Sequence, residues 1–222
     1  MPRMKTRWTV WTRLWLCLLL TLAVVLPLPA QTNDLTEPPR EPDVIYVPTP
    51  MPVVEKMLEL AEIKPGDVVY DLGCGDGRIV VTAAKKYGVR AVGFDIDPQR
   101  VREARENVRS NKVEHLVTIK QADIFTLDLS EATVVTLYLL PELNVRLMPQ
   151  LAKMKPGSRI VSHDFDMRGA KPVLVYRMNI DPPTGREVND RESRFVYGSH
   201  TIYKWVVPWE PETPNAPRTE NR

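Results

Sequence analysis

With 222 residues, 30 basic against 28 acidic side chains and a formal net charge of +2, the chain is long enough for one α/β domain with a substantial core. It is too evenly charged for the basic face that wholesale nucleic-acid binding needs. It has two cysteines, Cys17 in an N-terminal apolar run and Cys74, so loss of that run would leave one thiol and no intramolecular bridge.

The N-terminal stretch carries Arg3, Lys5, Arg7 and Arg13, an apolar run from Leu14 to Leu28 and the small residue Ala30, with no acid before Asp34. A basic head, a short greasy core and a small-residue end predict a signal peptide over 1–30. The run falls short of the ~20 apolar residues of a comfortable span, so an uncleaved membrane anchor ranks second and a mitochondrial presequence third. Bases before the run and acids after it would place the rest of the chain outside the cytoplasm, in the periplasm or cell envelope. Residues 31–48 read as a proline-rich linker and 209–222 as a disordered tail, which leaves 49–208 as the folded domain.

Thr49 is the expected cap of a first helix whose opening turn tolerates Pro50 and Pro52. Its apolar side is supplied by Val53, Val54, Met57, Leu58 and Leu60. After a turn at Lys64–Asp67, alternation predicts strands near 68–72, 90–95, 116–120, 132–140 and 158–164, with helices near 77–86, 98–110 and 142–153. Strands spaced by helices imply parallel pairing and a doubly wound sheet. Two β-rich runs, 172–178 and 194–207, predict an antiparallel hairpin closing one edge.

The sequence VVYDLGCGDGRIVVTAAKKYGVRAVGFDIDP, residues 68–98, is a strand, a glycine-rich loop, a helix and a second strand, each strand ending in an acid. The spacing of Gly73, Gly75 and Gly77 is G-x-G-x-G rather than the dinucleotide G-x-G-x-x-G. Asp71 and Asp76 would repel a pyrophosphate and attract a cation. S-adenosylmethionine has the matching handles. Backbone N–H groups at the glycine loop suit its carboxylate, Asp71 its ammonium, and Asp95 its ribose diol. Asp123 suits the adenine amine, and Ile96 and Ile124 would sandwich the base. Each residue also has a plainer reading: a glycine triplet makes tight turns, and a strand-end aspartate caps helices, as Asp97 is expected to do.

Residues 67–166 resemble the class I S-adenosylmethionine-dependent methyltransferases, with DLGCGDG, GFDID and QADIF in the places of three of their motifs. The resemblance implies a Rossmann-like seven-stranded sheet with a C-terminal antiparallel strand. Tyr46-Val47-Pro48-Thr49-Pro50 is similar to the lead-in segment of a small group that includes protein-lysine methyltransferases of mitochondrial membrane proteins. That likeness implies Tyr46 and Thr49 as contacts to the methionine end of the cofactor.

In that family the end of the fourth strand faces the transferring methyl. Here it reads Val134-Val135-Thr136-Leu137-Tyr138-Leu139-Leu140-Pro141. It lacks the Asn/Asp-Pro-Pro-Tyr/Phe of base amino-methyltransferases, and no acid stands there to hold magnesium. No metal is expected, and Asp164 and Asp166 are read as lining or flanking the pocket. Tyr138 is the candidate for orienting the acceptor, a protein lysine or a small molecule. Ser162-His163-Asp164 resembles a hydrolase triad only on paper, since neighbours on a strand point to opposite faces. His115 and His200 are read as structural, and the arginines of 98–110 as a solvated face paired with Glu103 and Glu106. The membrane is a partner only through the N-terminal segment. The competing reading is a noncatalytic S-adenosylmethionine-binding domain exported to the envelope, where that cofactor is scarce.

Overall fold

The computed structural model describes residues 41–182 and 195–212. They belong to the second of two units into which the chain divides, Met1–Glu37 and Pro38–Arg222. The expected leader, most of the linker, the turn-rich stretch from 183 to 194 and the tail from 213 lie outside the described residues. Among the described residues no helix is long and apolar enough to cross a membrane.

Helix α1 (Met51–Leu60) presents Val53, Val54, Met57 and Leu58 to the core on one face. Thr49 does not cap it. Pro50 takes the N-cap position with no side-chain bond, because its carbonyl already accepts from Val53 and Val54. Strand β1 (Val68–Leu72), helix α2 (Arg78–Tyr87), strand β2 (Arg90–Asp95), helix α3 (Pro98–Ser110), strand β3 (Val117–Gln121), strand β4 (Val134–Leu137), helix α4 (Pro141–Leu151) and strand β5 (Arg159–His163) alternate as expected. Strand β4 is shorter than its apolar run, because Pro141 opens α4 and residues 138–140 turn out over the sheet edge.

The sheet order is β3-β2-β1-β4-β5-β7-β6. Strands β1 to β5 are parallel. The C-terminal strands β6 (Leu174–Ile180) and β7 (Gly198–Val206) form the antiparallel hairpin, with β7 inserted between β5 and β6. Side chains alternate across the sheet. Val69, Val134 and Val161 pack with α1, α2 and α3 in one core, whereas Tyr70, Val135, Ile160 and Trp205 pack with α4 in the other. Both faces are covered, which is why these strands read as near-continuous apolar runs.

Candidate functional site

Order reversal at β1 leaves a crevice at the carboxyl ends of β1, β2 and β4, the usual ligand position of an open α/β sheet. A cavity of about 530 Å³ occupies it, within the range of small-molecule sites. Asp71, Gly73, Asp95, Ile96, Asp123, Ile124 and Tyr138 line it, and the segment Pro42–Thr49 closes one side, bringing Tyr46 and Thr49 to the same cavity.

The glycine loop works differently from the expectation. Its amide groups are consumed internally: Gly73 and Cys74 donate to the Phe94 carbonyl at 2.8 and 2.9 Å, and Gly77 donates to the Cys74 carbonyl at 2.8 Å. Gly75 donates to Asp95 Oδ2 at 2.8 Å. Of the three glycines only Gly73 lines the cavity. Gly75 admits an aromatic ring, since a Cβ there would stand 2.2 Å from Tyr46. Gly77, at φ +75°, caps α2 and lets α3 close in, a Cβ there standing 3.1 Å from that of Ala104.

Tyr46 is held from three sides. Gly75 lies against the ring, the Arg100 guanidinium lies 4.6 Å from its centroid, and Asp76 bonds its hydroxyl. Burial, helped by the Asp76 charge, pushes its pKa up to about 12. Arg78 bonds both oxygens of Asp76 and reaches the Thr49 carbonyl at 2.8 Å, tying the lead-in segment to α2.

Asp71 is 2% exposed and accepts from the Thr136 hydroxyl at 2.8 Å. Burial raises its pKa to about 7 against that hydrogen bond, and the like charges of Asp95 and Asp76 add to the rise. Burial also raises Asp95, although the amides of Asp97 and Gly75 oppose it. Asp95 takes the Gly75 amide on one oxygen and the Asp97 amide on the other. Asp97 caps α3 through Gln99, as expected. Asp123 lines the cavity and also caps a 3₁₀ turn, Ile124–Thr126, through the Phe125 amide.

Six aspartates line the cavity against two arginines, and those arginines are engaged with acids, Arg78 with Asp76 and Arg100 with Asp97 and Glu103. Such a cavity repels phosphates and favours a cationic ligand. That charge pattern fits S-adenosylmethionine, an ammonium and a sulfonium on a nucleoside. Asp71 and Asp95 would hold its polar groups, with Ile96 and Ile124 along the base.

The acceptor side is built from longer-range contacts. The Tyr138 ring packs on His163 at 4.0 Å between centroids and stacks with Phe165 at 5.9 Å. Burial, then the nearby Asp164 charge, pushes its pKa up to about 12. The Ser162–Asp164 triplet needs correction. Ser162 turns away, donating to the Phe165 carbonyl at 2.6 Å, but Asp164 lies past the strand at φ +57° and folds back to 3.2 Å from His163 Nε2. Neither Asp164 nor Asp166 lines the cavity, and neither lies on β5. His200, read as lacking partners, meets His163 across the β5–β7 pairing at 3.0 Å. Asn144 was not singled out from sequence. It is buried on α4 and donates to the carbonyls of Phe165 and Asp166, pinning the turn after β5. An Asn among the apolar positions of 142–153 was the available signal.

The family described as the ANTKMT methyltransferase domain matches residues 71–174. The chain is 50% identical over 168 residues to a protein-lysine N-methyltransferase of Saccharolobus islandicus, covering 75% of this chain and 95% of that one. It is 28% identical over 141 residues to an ATP synthase lysine N-methyltransferase of Xenopus laevis, covering 61% and 60%. A crystal structure of an RNA methyltransferase from Salinibacter ruber with S-adenosyl-L-homocysteine superposes with a TM-score of 0.60 at 45% identity, covering 77% of this chain and 98% of that one. Half its residues shared over nearly the whole of the Saccharolobus relative, on a methyltransferase sheet with an acidic nucleoside cavity, place the chain in the protein-lysine N-methyltransferase family of class I S-adenosylmethionine-dependent methyltransferases.

Proposed function

We propose that this methyltransferase acts on lysine side chains of protein. The observation that carries the reading is the 50% identity over 95% of the Saccharolobus protein-lysine enzyme. The acceptor side is compatible with it. Tyr138, Leu139, Leu143, Val44 and Ile45 line that part of the cavity with apolar surface and rings. A lysine ammonium entering an apolar slot is desolvated, which lowers its pKa and exposes the amine lone pair. S-adenosylmethionine, when bound, supplies an electrophilic methyl group on a sulfonium. The chain's own contribution is then to hold the nucleoside through Asp71 and Asp95 and to orient the amine against Tyr138, positioning rather than covalent chemistry.

The Salinibacter relative, described as an RNA methyltransferase, favours RNA as the second reading. Against it, arginines of α3 are paired with acids, Arg100 with Glu103 and Arg109 with Glu106, so that helix offers little for counterion release. Labelled methyl transfer to cell extract, followed by protease or nuclease digestion, separates the two. Protease-sensitive label recovered as methyl-lysine, and lost in Asp95→Ala, is expected; nuclease-sensitive label would overturn the lysine reading. The proposal extends to location, with 1–30 directing or anchoring the domain outside the cytoplasm. Intact mass of the native protein tests it, a chain beginning at Gln31 marking cleavage.

A further inference from the structure

We propose that His163, Asp164 and His200 form a binding site for a divalent transition-metal ion, Zn²⁺ by donor chemistry, behind the Tyr138 wall of the cofactor cavity. The site does not depend on which acceptor the enzyme uses.

Geometry comes first. His163 ends β5, Asp164 follows it, and His200 stands on β7 two residues from Ile202, the partner of His163 in the ladder. His163 Nε2, His200 Nδ1 and Asp164 Oδ2 form a triangle with sides of 3.0, 3.2 and 3.5 Å. The point in that plane equidistant from the three lies about 1.9 Å from each, and zinc bonds to imidazole and carboxylate are about 2.0–2.2 Å. An ion at bonding distance would therefore sit just off the plane, with room for a further ligand on its open side.

Hydrogen counting is the second, independent observation. His200 Nε2 faces the Val196 carbonyl at 3.4 Å, which favours the proton there and a lone pair on Nδ1. Asp164 Oδ2 is an acceptor as well, so the 3.5 Å edge between it and His200 brings two acceptors together with no proton between them. His163 supplies at most one N–H for both. Its Nδ1 has no hydrogen-bond partner, so nothing on that side fixes the tautomer, and Nε2 can present its own lone pair. A single cation satisfies all three atoms, which one shared proton does not.

The surroundings hold two of the donors in place. Asp164 accepts the Thr201 amide on Oδ1 at 2.8 Å and returns its own amide to the Thr201 carbonyl at 2.7 Å, leaving Oδ2 for the histidines. His200 is oriented by the Val196 carbonyl. Outer bonds of this kind orient metal ligands generally. Both histidines are buried, whereas Asp164 is part exposed and gives an approach from solvent. Two imidazoles with one carboxylate suit zinc rather than magnesium or calcium, which take oxygen ligands. Bound there, the ion would clamp β5 to β7 and fix the imidazole on which Tyr138 packs.

The test uses the purified full chain, treated with chelator and titrated with ZnCl₂ by calorimetry, with metal content measured after gel filtration. One Zn²⁺ per chain is expected, and His200→Gln and Asp164→Asn should each weaken binding by about 100-fold or more. S-adenosylhomocysteine affinity within threefold of the parent would certify that each variant is folded. Co²⁺ should give the intense visible bands of a four-coordinate N/O site, without a thiolate charge-transfer band. If the variants do not fold, the Co²⁺ spectrum of the unaltered chain decides. No stoichiometric uptake, a weak six-coordinate Co²⁺ spectrum, or binding unchanged in both variants would each overturn the proposal and leave a hydrogen-bonded histidine pair.

Discussion

The two halves of the sheet's carboxyl edge are assembled in opposite ways. Over β1, β2 and the loop after β3, each strand delivers its own acid, and each acid is held by amides or a hydroxyl close to it in space (Asp95 by Gly75 and Asp97, Asp123 by Phe125). Over β4, β5 and β7, the side chains that meet come from three separate strands and from α4. Tyr138 packs on His163, His163 meets His200, and Asn144 pins the turn after β5. The cofactor half is a run of local motifs, whereas the acceptor half is a product of strand register. The first half can be shared across a family while the second changes its substrate, since binding the donor and choosing the acceptor use different residues.

The largest expected effect breaks the cofactor half alone. Asp95→Ala removes the acceptor of two backbone amides at 2.8 and 3.0 Å together with the ribose anchor. Charge-assisted hydrogen bonds are worth about 1.5–3 kcal/mol each, so calorimetry should record a loss of S-adenosylhomocysteine affinity of about 100-fold or more. An unchanged Kd would put the nucleoside elsewhere. Tyr138→Ala should do the reverse. It removes the ring that packs on His163 and Phe165, and kcat/KM for a protein acceptor should fall by roughly 10- to 100-fold through lost positioning, with cofactor Kd within about threefold. Tyr138→Phe keeps the ring and should stay near the parent; if it is as damaging as alanine, the hydroxyl rather than the ring carries the role.

A smaller effect follows from pH. Asp71 is raised from an ordinary 3.8 to about 7 by burial, so below pH 7 it increasingly lacks the charge that would attract an ammonium. S-adenosylhomocysteine affinity should weaken as pH falls from 8 to 6, with a limiting slope of about tenfold per unit, and Asp71→Asn should flatten that dependence. Stability runs the other way. A carboxyl whose folded pKa is raised contributes fully below its unfolded value, and that contribution is lost as pH rises through about 7. The ligand-free protein therefore carries the cost of an ionised Asp71 at pH 8, at most about 4 kcal/mol. Asp71→Asn should melt higher than the parent at pH 8, with the gap shrinking towards pH 5, and a gap that widens on acidification would contradict the assignment.

The same contrast explains which features are legible in the chain alone. The sheet, its hairpin and the cavity positions of Asp71, Asp95, Ile96, Asp123 and Ile124 follow from apolar periodicity and strand-end acids, all visible within short windows. The His163–His200 meeting was not visible, because it depends on β7 being inserted beside β5 and on a register of 37 residues' separation. The Asp164 fold-back was missed for a different reason. An aspartate leaving the strand in the left-handed region defeats the alternation that argues consecutive side chains apart. Thr49 failed as a cap because Pro50 had already supplied the helix's first acceptor.

The glycine loop, where pattern and role come apart most finely, gives the smallest effect. Gly75 and Gly77 belong to one motif, yet the first underlies Tyr46 at the cavity and the second underlies α3. Gly77→Ala places a side chain at φ +75°, 3.1 Å from the Ala104 Cβ. A residue in that conformation costs about 1–2 kcal/mol, so the thermal midpoint should drop by on the order of 5 °C, while S-adenosylhomocysteine affinity changes by less than about twofold. Gly75→Ala drives its Cβ into the Tyr46 ring, 2.2 Å away; Tyr46 must leave, and affinity should fall together with stability. Parallel losses of affinity in both variants would mean that the two glycines serve the ligand alike. A loss of affinity confined to Gly75→Ala would instead assign Gly77 to the joint between helices.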